Sequence, residues 1–176
     1  MERLNLPFRC VVPDIDESVL AGESPEQQVL RLAASKAAKV ANEEPTAIII
    51  GSDQLAELNG QILGKPGNHE NACRQLKSMS GRCVRFFTGL CLLNVKSGHQ
   101  QLACVLNDVH FRQLTTQEIE RYLISEQPYG CAGSFKSEAL GITLIEKIDG
   151  PDPTALIGLP LIKLAEMLRN ESYKIP

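Results

Sequence analysis

The stretch AIIIGSDQLAELNGQILGKP holds an apolar, β-branched run, Ala47 to Gly51, that stops at Ser52-Asp53-Gln54. Such a run predicts a strand buried on both faces, and the polar residues at its end are the first candidates for chemistry. A carboxylate such as Asp53 can accept a proton or bind a cation, and the nearby Lys65 can neutralise an anion. Asn59-Gly60 predicts a two-residue type I′ turn, which pairs Leu58 with Gln61, Ala56 with Leu63 and Gln54 with Lys65. The far end of this hairpin thus gathers Asp53, Gln54 and Lys65. Alternation directs Gln54 and Lys65 to one face and Asp53 to the other, unless a bulge re-aims it. The residues alone leave two readings open: the rim of a polar pocket, or a surface ion pair worth under about 1 kcal/mol.

A second lysine needs an explanation of the same kind. Val29, Leu32, Ala33, Ala37 and Val40 recur at three- and four-residue spacing and define the buried stripe of a helix, and Lys36 falls on that stripe. Its stem can snorkel to water, or its ammonium can meet a carboxylate or anion in a partly buried site, because an unpaired buried charge is costly. The acidic turn Pro13-Asp14-Ile15-Asp16-Glu17-Ser18 reads by itself as a solvated loop.

Around these residues the chain alternates elements with no long linker or repeat. Phe8 to Val12 predicts a short strand leading into the acidic turn. Ser24-Pro25-Glu26-Gln27 predicts a capped helix start, with the helix running to about Asn42. Asn68 predicts a cap for a helix over Ala72, Leu76 and Met79 that ends at Gly81. Val84 to Val95 and Leu102 to Arg112 predict a hairpin through Lys96-Ser97-Gly98. Thr115 to Glu118 is a second capping box, Ile142 to Ile148 a further strand, and Leu159-Pro160 the opening of a last helix ending near Asn170. Hairpins among helices predict an α/β domain over 1–176 with a mixed sheet.

Composition narrows the partners. The 176 residues, 43% hydrophobic and 22% charged, suit one core, and a net charge of −3 gives no global attraction to a nucleic acid polymer or an anionic membrane. An anionic ligand must therefore be held by a local group of cations. The six cysteines form no CxxC pair and share no zinc-type spacing with His69, His99 or His110. No run approaches the roughly 20 apolar residues of a membrane span, and MERLNLPF does not have the pattern of a signal peptide. A reduced, cytoplasmic protein with a small-molecule partner is the expectation.

The ordered series RLAASKAAKVA, IIIGSDQLAELNGQILGKP, LKSMSG, FFTGL, CAGSFKSEALGI and GLPLIKLAEML resembles the Maf family of nucleotide pyrophosphatases over nearly the whole chain. The resemblance implies a Maf/ITPase-like fold, a twisted mixed sheet flanked by helices with a central cleft. It also implies hydrolysis of a nucleoside triphosphate between its α- and β-phosphates. On that likeness Asp53 is the proton acceptor that activates water, Lys36 and Lys65 neutralise triphosphate charge, and Glu17 joins Asp53 in holding a divalent cation, Mg2+ or Mn2+. Gln54 directly after Asp53, and Glu138 in SFKSE, resemble the branch acting on 7-methyl-GTP. The branch hydrolysing dTTP and UTP typically carries Thr and Gln there. A carboxylate such as Glu138 offers two acceptors to the N1–H and exocyclic amine of guanine, and N7 methylation makes that base cationic. A homodimer is a further implication of the resemblance.

The series departs from the family at its start. Members begin with a strand and an S-x-S-x-x-R loop before a helix whose tail matches MERLNLPF, and no P-loop or dinucleotide-type loop stands in for it. Losing one preorganised donor commonly costs about a hundred- to a thousand-fold in rate, so weak nucleotide binding and slow hydrolysis are expected. Two alternatives stay open: a dTTP/UTP pyrophosphatase, and a noncatalytic Maf-like regulatory protein.

Overall fold

A computed structural model describes the whole chain, Met1–Pro176. Five strands, β1 (Ile48–Leu58), β2 (Gln61–Leu63), β3 (Cys83–Asn94), β4 (His99–Phe111) and β5 (Ile145–Asp149), form one sheet in the order β2-β1-β3-β4-β5. Four helices accompany it: α1 (Pro25–Ala41), α2 (His69–Met79), α3 (Thr116–Glu126) and α4 (Leu161–Asn170).

Every neighbouring pair is antiparallel, which corrects the expected mixed sheet. The reason lies in the connections: β1 to β2 and β3 to β4 are tight hairpins, and α2 returns the chain so that β3 runs back along β1. The β1–β2 turn has Asn59 and Gly60 at φ 52° and 82°, as a type I′ turn requires, and its register is Leu58 with Gln61 and Ala56 with Leu63. β2 stops at Leu63, so Gln54 and Lys65 never become ladder partners.

The helix starts follow local chemistry. Ser24 and Thr115 each accept a bond from the backbone N–H three residues on, while the Gln27 and Glu118 side-chain oxygens accept from the backbone N–H of the cap, and the Asn68 side chain accepts from the Asn71 N–H.

α1 covers one face of the sheet. Its Val29, Ala33 and Ala37 meet Ile49, Leu55, Phe87 and Cys91, which alternate on β1 and β3. The other face packs in two regions: Leu90 and Leu92 against Leu164, Met167 and Leu168 of α4, and Ala56, Val84, Phe86 and Val109 against residues of α2 and α3.

Phe8 to Val12 is not a strand. It runs without regular structure between Pro7 and Pro13, because no strand pairs with it and β propensity alone does not hold an isolated segment. β2 covers only the last three residues of β1, so Ile48–Leu55 is a free edge on that side. A mostly apolar trough of about 610 Å³ lies there, with Phe8, Val11, Ile48, Ile50 and Tyr173 in its walls. The predicted strand at Ile142 is also shorter than expected: a 3₁₀ turn, Leu140–Leu144, comes first and β5 begins at Ile145. No helix is long and apolar enough to cross a membrane.

Candidate active site

Of the five charged residues singled out above, Asp53 and Glu17 meet at the Lys36 ammonium, Lys65 approaches Glu17, and Glu138 stands apart. Lys36 Nζ stands 2.6 Å from Asp53 Oδ1 and 2.8 Å from Glu17 Oε1, and Lys65 Nζ is 3.5 Å from Glu17 Oε2. Each comes from a different element: Glu17 from the irregular segment before α1, Lys36 from α1, Asp53 from the middle of β1, and Lys65 from the loop after β2.

The backbone explains why a helix residue can reach the sheet here. Asp53 lies opposite Gly89 on β3, and both belong to the face that α1 covers. A Cβ on Gly89 would fall 2.3 Å from the Val29 carbonyl oxygen, and one on Gly51 would fall 2.2 Å from that of Ala33. With no side chain at either position, α1 lies directly on the sheet backbone, and the Lys36 stem spans the remaining distance to Asp53. The sequence reading missed Gly89 as a site residue. Its role is visible only from the β1–β3 register, a pairing no local motif specifies.

The environment sets the charges. Asp53 is only 13% exposed and Lys36 18%, whereas Glu17 and Lys65 face solvent at 44% and 64%. Burial pushes the Asp53 carboxyl above its ordinary value, more than the bond from Lys36 pulls it down. Burial also works against the Lys36 ammonium, but Asp53 and Glu17 together outweigh it and hold the amine above the usual lysine range. The Lys36 hydrogen bond keeps Glu17 below the usual glutamate value. A raised carboxylate beside a retained ammonium is the combination expected of a base in an anion-binding site.

Gln54 is not part of this group. Alternation sends it to the opposite face, where its Nε2 donates to the Ala155 carbonyl at 2.7 Å and to Thr88 Oγ1 at 3.0 Å. Thr88 Oγ1 donates to the same carbonyl at 3.1 Å, so the two side chains together hold the 3₁₀ turn Pro153–Ile157. Glu138 is exposed on the segment after Cys131. Its charge and that of Lys65 both act on the Cys131 thiol, which burial pushes upward. The Lys65 loop is tied to the same region by the Gly67 N–H, which donates to the Tyr129 carbonyl at 3.0 Å. Glu138 makes no hydrogen bond or ion pair with the Lys36–Asp53 cluster, and Gln54 lies in the layer beneath it.

All the acidic donors at the cluster are carboxylate oxygens. Such hard ligands suit magnesium or manganese, which take one or two carboxylates and complete their shell with water and phosphate oxygens. No group of three or more His, Cys, Asp or Glu side chains gathers as a metal cage anywhere in the chain. Glu17 and Asp53 supply two carboxylates of this kind, and both are engaged by Lys36 in this structure. The apolar trough borders the cluster through Lys36, Gly51 and Ser52.

The model of the family described as Maf-like protein matches residues 1–171. Relatives of high similarity carry one name. A 7-methyl-GTP pyrophosphatase of Nitrosococcus oceani is 53% identical over 175 residues, 99% of this chain and 88% of the relative. A protein of the same name from Pseudomonas aeruginosa is 52% identical over 176 residues, 100% of this chain and 92% of the relative.

Proposed function

The chain belongs to the Maf-like protein family, and from that premise we propose that it hydrolyses 7-methyl-GTP to 7-methyl-GMP and pyrophosphate. The observation that carries this reading is the meeting of Lys36 with both Asp53 and Glu17, with Lys65 alongside. Two cations beside a largely buried carboxylate match the needs of a triphosphate: charge neutralisation and a proton acceptor.

In this mechanism Lys36 and Lys65 bind the phosphate oxygens and hold the chain of phosphates in line. As the nucleotide takes over Lys36, Asp53 is freed of its hydrogen bond, and its carboxylate, raised in basicity by burial, accepts a proton from the attacking water. Glu17 and Asp53 would hold a Mg2+ or Mn2+ ion, which would supply further neutralisation of the phosphoryl oxygens. Glu138 accepts from the N1–H and exocyclic amine of the guanine edge, and a thymine or uracil would leave that carboxylate facing a carbonyl. Gln54 contributes to specificity indirectly, by fixing the turn at Pro153–Ile157 beneath the site. A cytoplasmic location and a homodimer are parts of the same reading. The six free cysteines favour a reducing compartment, and sedimentation velocity of the purified chain tests the dimer.

The test is a parallel assay of 7-methyl-GTP, UTP and dTTP with Mg2+ or Mn2+, reading nucleoside monophosphate and pyrophosphate. 7-methyl-GTP is expected to be preferred by about tenfold or more. A preference for UTP and dTTP would move the chain to the pyrimidine branch. Binding without pyrophosphate release, unchanged by Asp53→Asn, would make it a noncatalytic member.

A further inference from the structure

We infer that Arg31, acting through Glu23 and the Ser18 carbonyl, is a positioning residue that presents Glu17 to the two lysines. Glu17 sits in a stretch, residues 6–20, with no helix, strand or turn, and its side chain is 44% exposed. A carboxylate on such a segment has no regular element to orient it. Arg31 supplies a fixed point. Its Nε donates to Glu23 Oε1 at 2.6 Å, and its Nη2 donates to Glu23 Oε2 at 2.8 Å and to the Ser18 carbonyl at 3.1 Å. This planar fork saturates both carboxylate oxygens at once, which a lysine could not do.

The anchor extends to both neighbours of Glu17. Glu23 Oε2 also accepts the Leu20 N–H at 3.3 Å, and Asp16 Oδ1 accepts the backbone N–H and the hydroxyl of Ser18, at 2.8 and 2.5 Å. Asp16 and Ser18 are thereby joined around Glu17, and Ser18 is joined to Arg31. The Glu23 side chain is 8% exposed and that of Arg31 28%, so the fork is partly shielded from water. Arg31 and Lys36 also share α1. One rigid helix thus carries both the ammonium that Glu17 meets and the guanidinium that holds the Glu17 segment in place. The contrary possibility is that the ion pair with Lys36 alone places Glu17, leaving Arg31 as surface decoration.

Taking Glu17 as part of the hydrolytic site, as proposed above, Arg31→Gln is expected to lower kcat for 7-methyl-GTP by about tenfold or more. Glu23→Gln, which keeps the shape, should do the same to a smaller extent if the arginine variant proves unstable. The decisive comparison is in a Glu17→Gln background, where Arg31→Gln should cause no further loss, since it acts only through Glu17. Hydrogen exchange in peptides covering residues 15–22 should quicken in Arg31→Gln while the thermal midpoint stays near that of the wild type. A loss that multiplies with that of Glu17→Gln, an activity within twofold of wild type, or unchanged exchange would overturn the inference. If the wild type hydrolyses no nucleotide, the functional reading fails, and the exchange measurement alone decides the positioning.

Discussion

At the scale of single residues, the account turns on how Lys36 and Asp53 condition each other. Asp53→Asn removes the proposed proton acceptor and should lower kcat by about 10²–10⁴ with the fold retained. Lys36→Gln removes the hydrogen bond that opposes burial, so the Asp53 carboxyl should rise further above its ordinary value. The acidic limb of the residual pH–rate profile is then expected to move to higher pH than in the wild type, and a limb that stayed in place or moved down would contradict this. Stability responds too. The folded Lys36 is held above the ordinary lysine value, so its contribution is complete below that value and lost as pH rises through the raised one. Urea unfolding at neutral pH should show Lys36→Gln destabilised by about 1–3 kcal/mol, because Asp53 is left buried without its partner. The gap should close in alkali. Much of this was legible beforehand: helical periodicity put Lys36 on the buried stripe, and strand alternation separated Asp53 from Gln54. That Lys36 reaches Asp53 was not legible, because it depends on where α1 lies across the sheet.

At the scale of elements, the closeness of α1 to β1 and β3 is what makes the site. Gly89→Ala would put a methyl group against the Val29 carbonyl, a backbone atom that cannot swing aside. It should destabilise the protein by about 1–3 kcal/mol and lower activity by shifting Lys36 relative to Asp53. Wild-type stability and activity in that variant would show that the helix does not need so close an approach. The caps were readable from sequence because they are local, and one gives a pH test. Hydrogen bonds from the Thr115 N–H and hydroxyl, with help from Arg112, hold the Glu118 carboxyl down to about 2. A depressed carboxylate contributes stability above its unfolded value near 4.3 and loses it as pH falls through the folded one. The difference in unfolding midpoint between wild type and Glu118→Gln should therefore be full at pH 7 and shrink between about pH 4 and 2. A pH-independent difference would mean that the cap acts without its charge. Phe8–Val12 was misread as a strand because its composition is right and its partner is missing, and pairing is not a property of a segment by itself.

At the scale of the molecule, an antiparallel sheet, one helix on one face and three on the other bring four distant charged residues to one place. The hairpin turns foretold much of the β order, whereas the uniformly antiparallel sheet depended on how α2 returns the chain to β1. Family resemblance supplied the proposed chemistry, and the structure supplies one ammonium bridging two carboxylates. The most direct test is a single-turnover reaction of 7-methyl-GTP with the wild type and with folded Asp53→Asn, quantifying both products. The wild type should release 7-methyl-GMP and pyrophosphate in equal amounts, and Asp53→Asn should bind the nucleotide yet react at least about a hundredfold more slowly. Equal rates in the two proteins, or release of orthophosphate instead of pyrophosphate, would contradict the central claim.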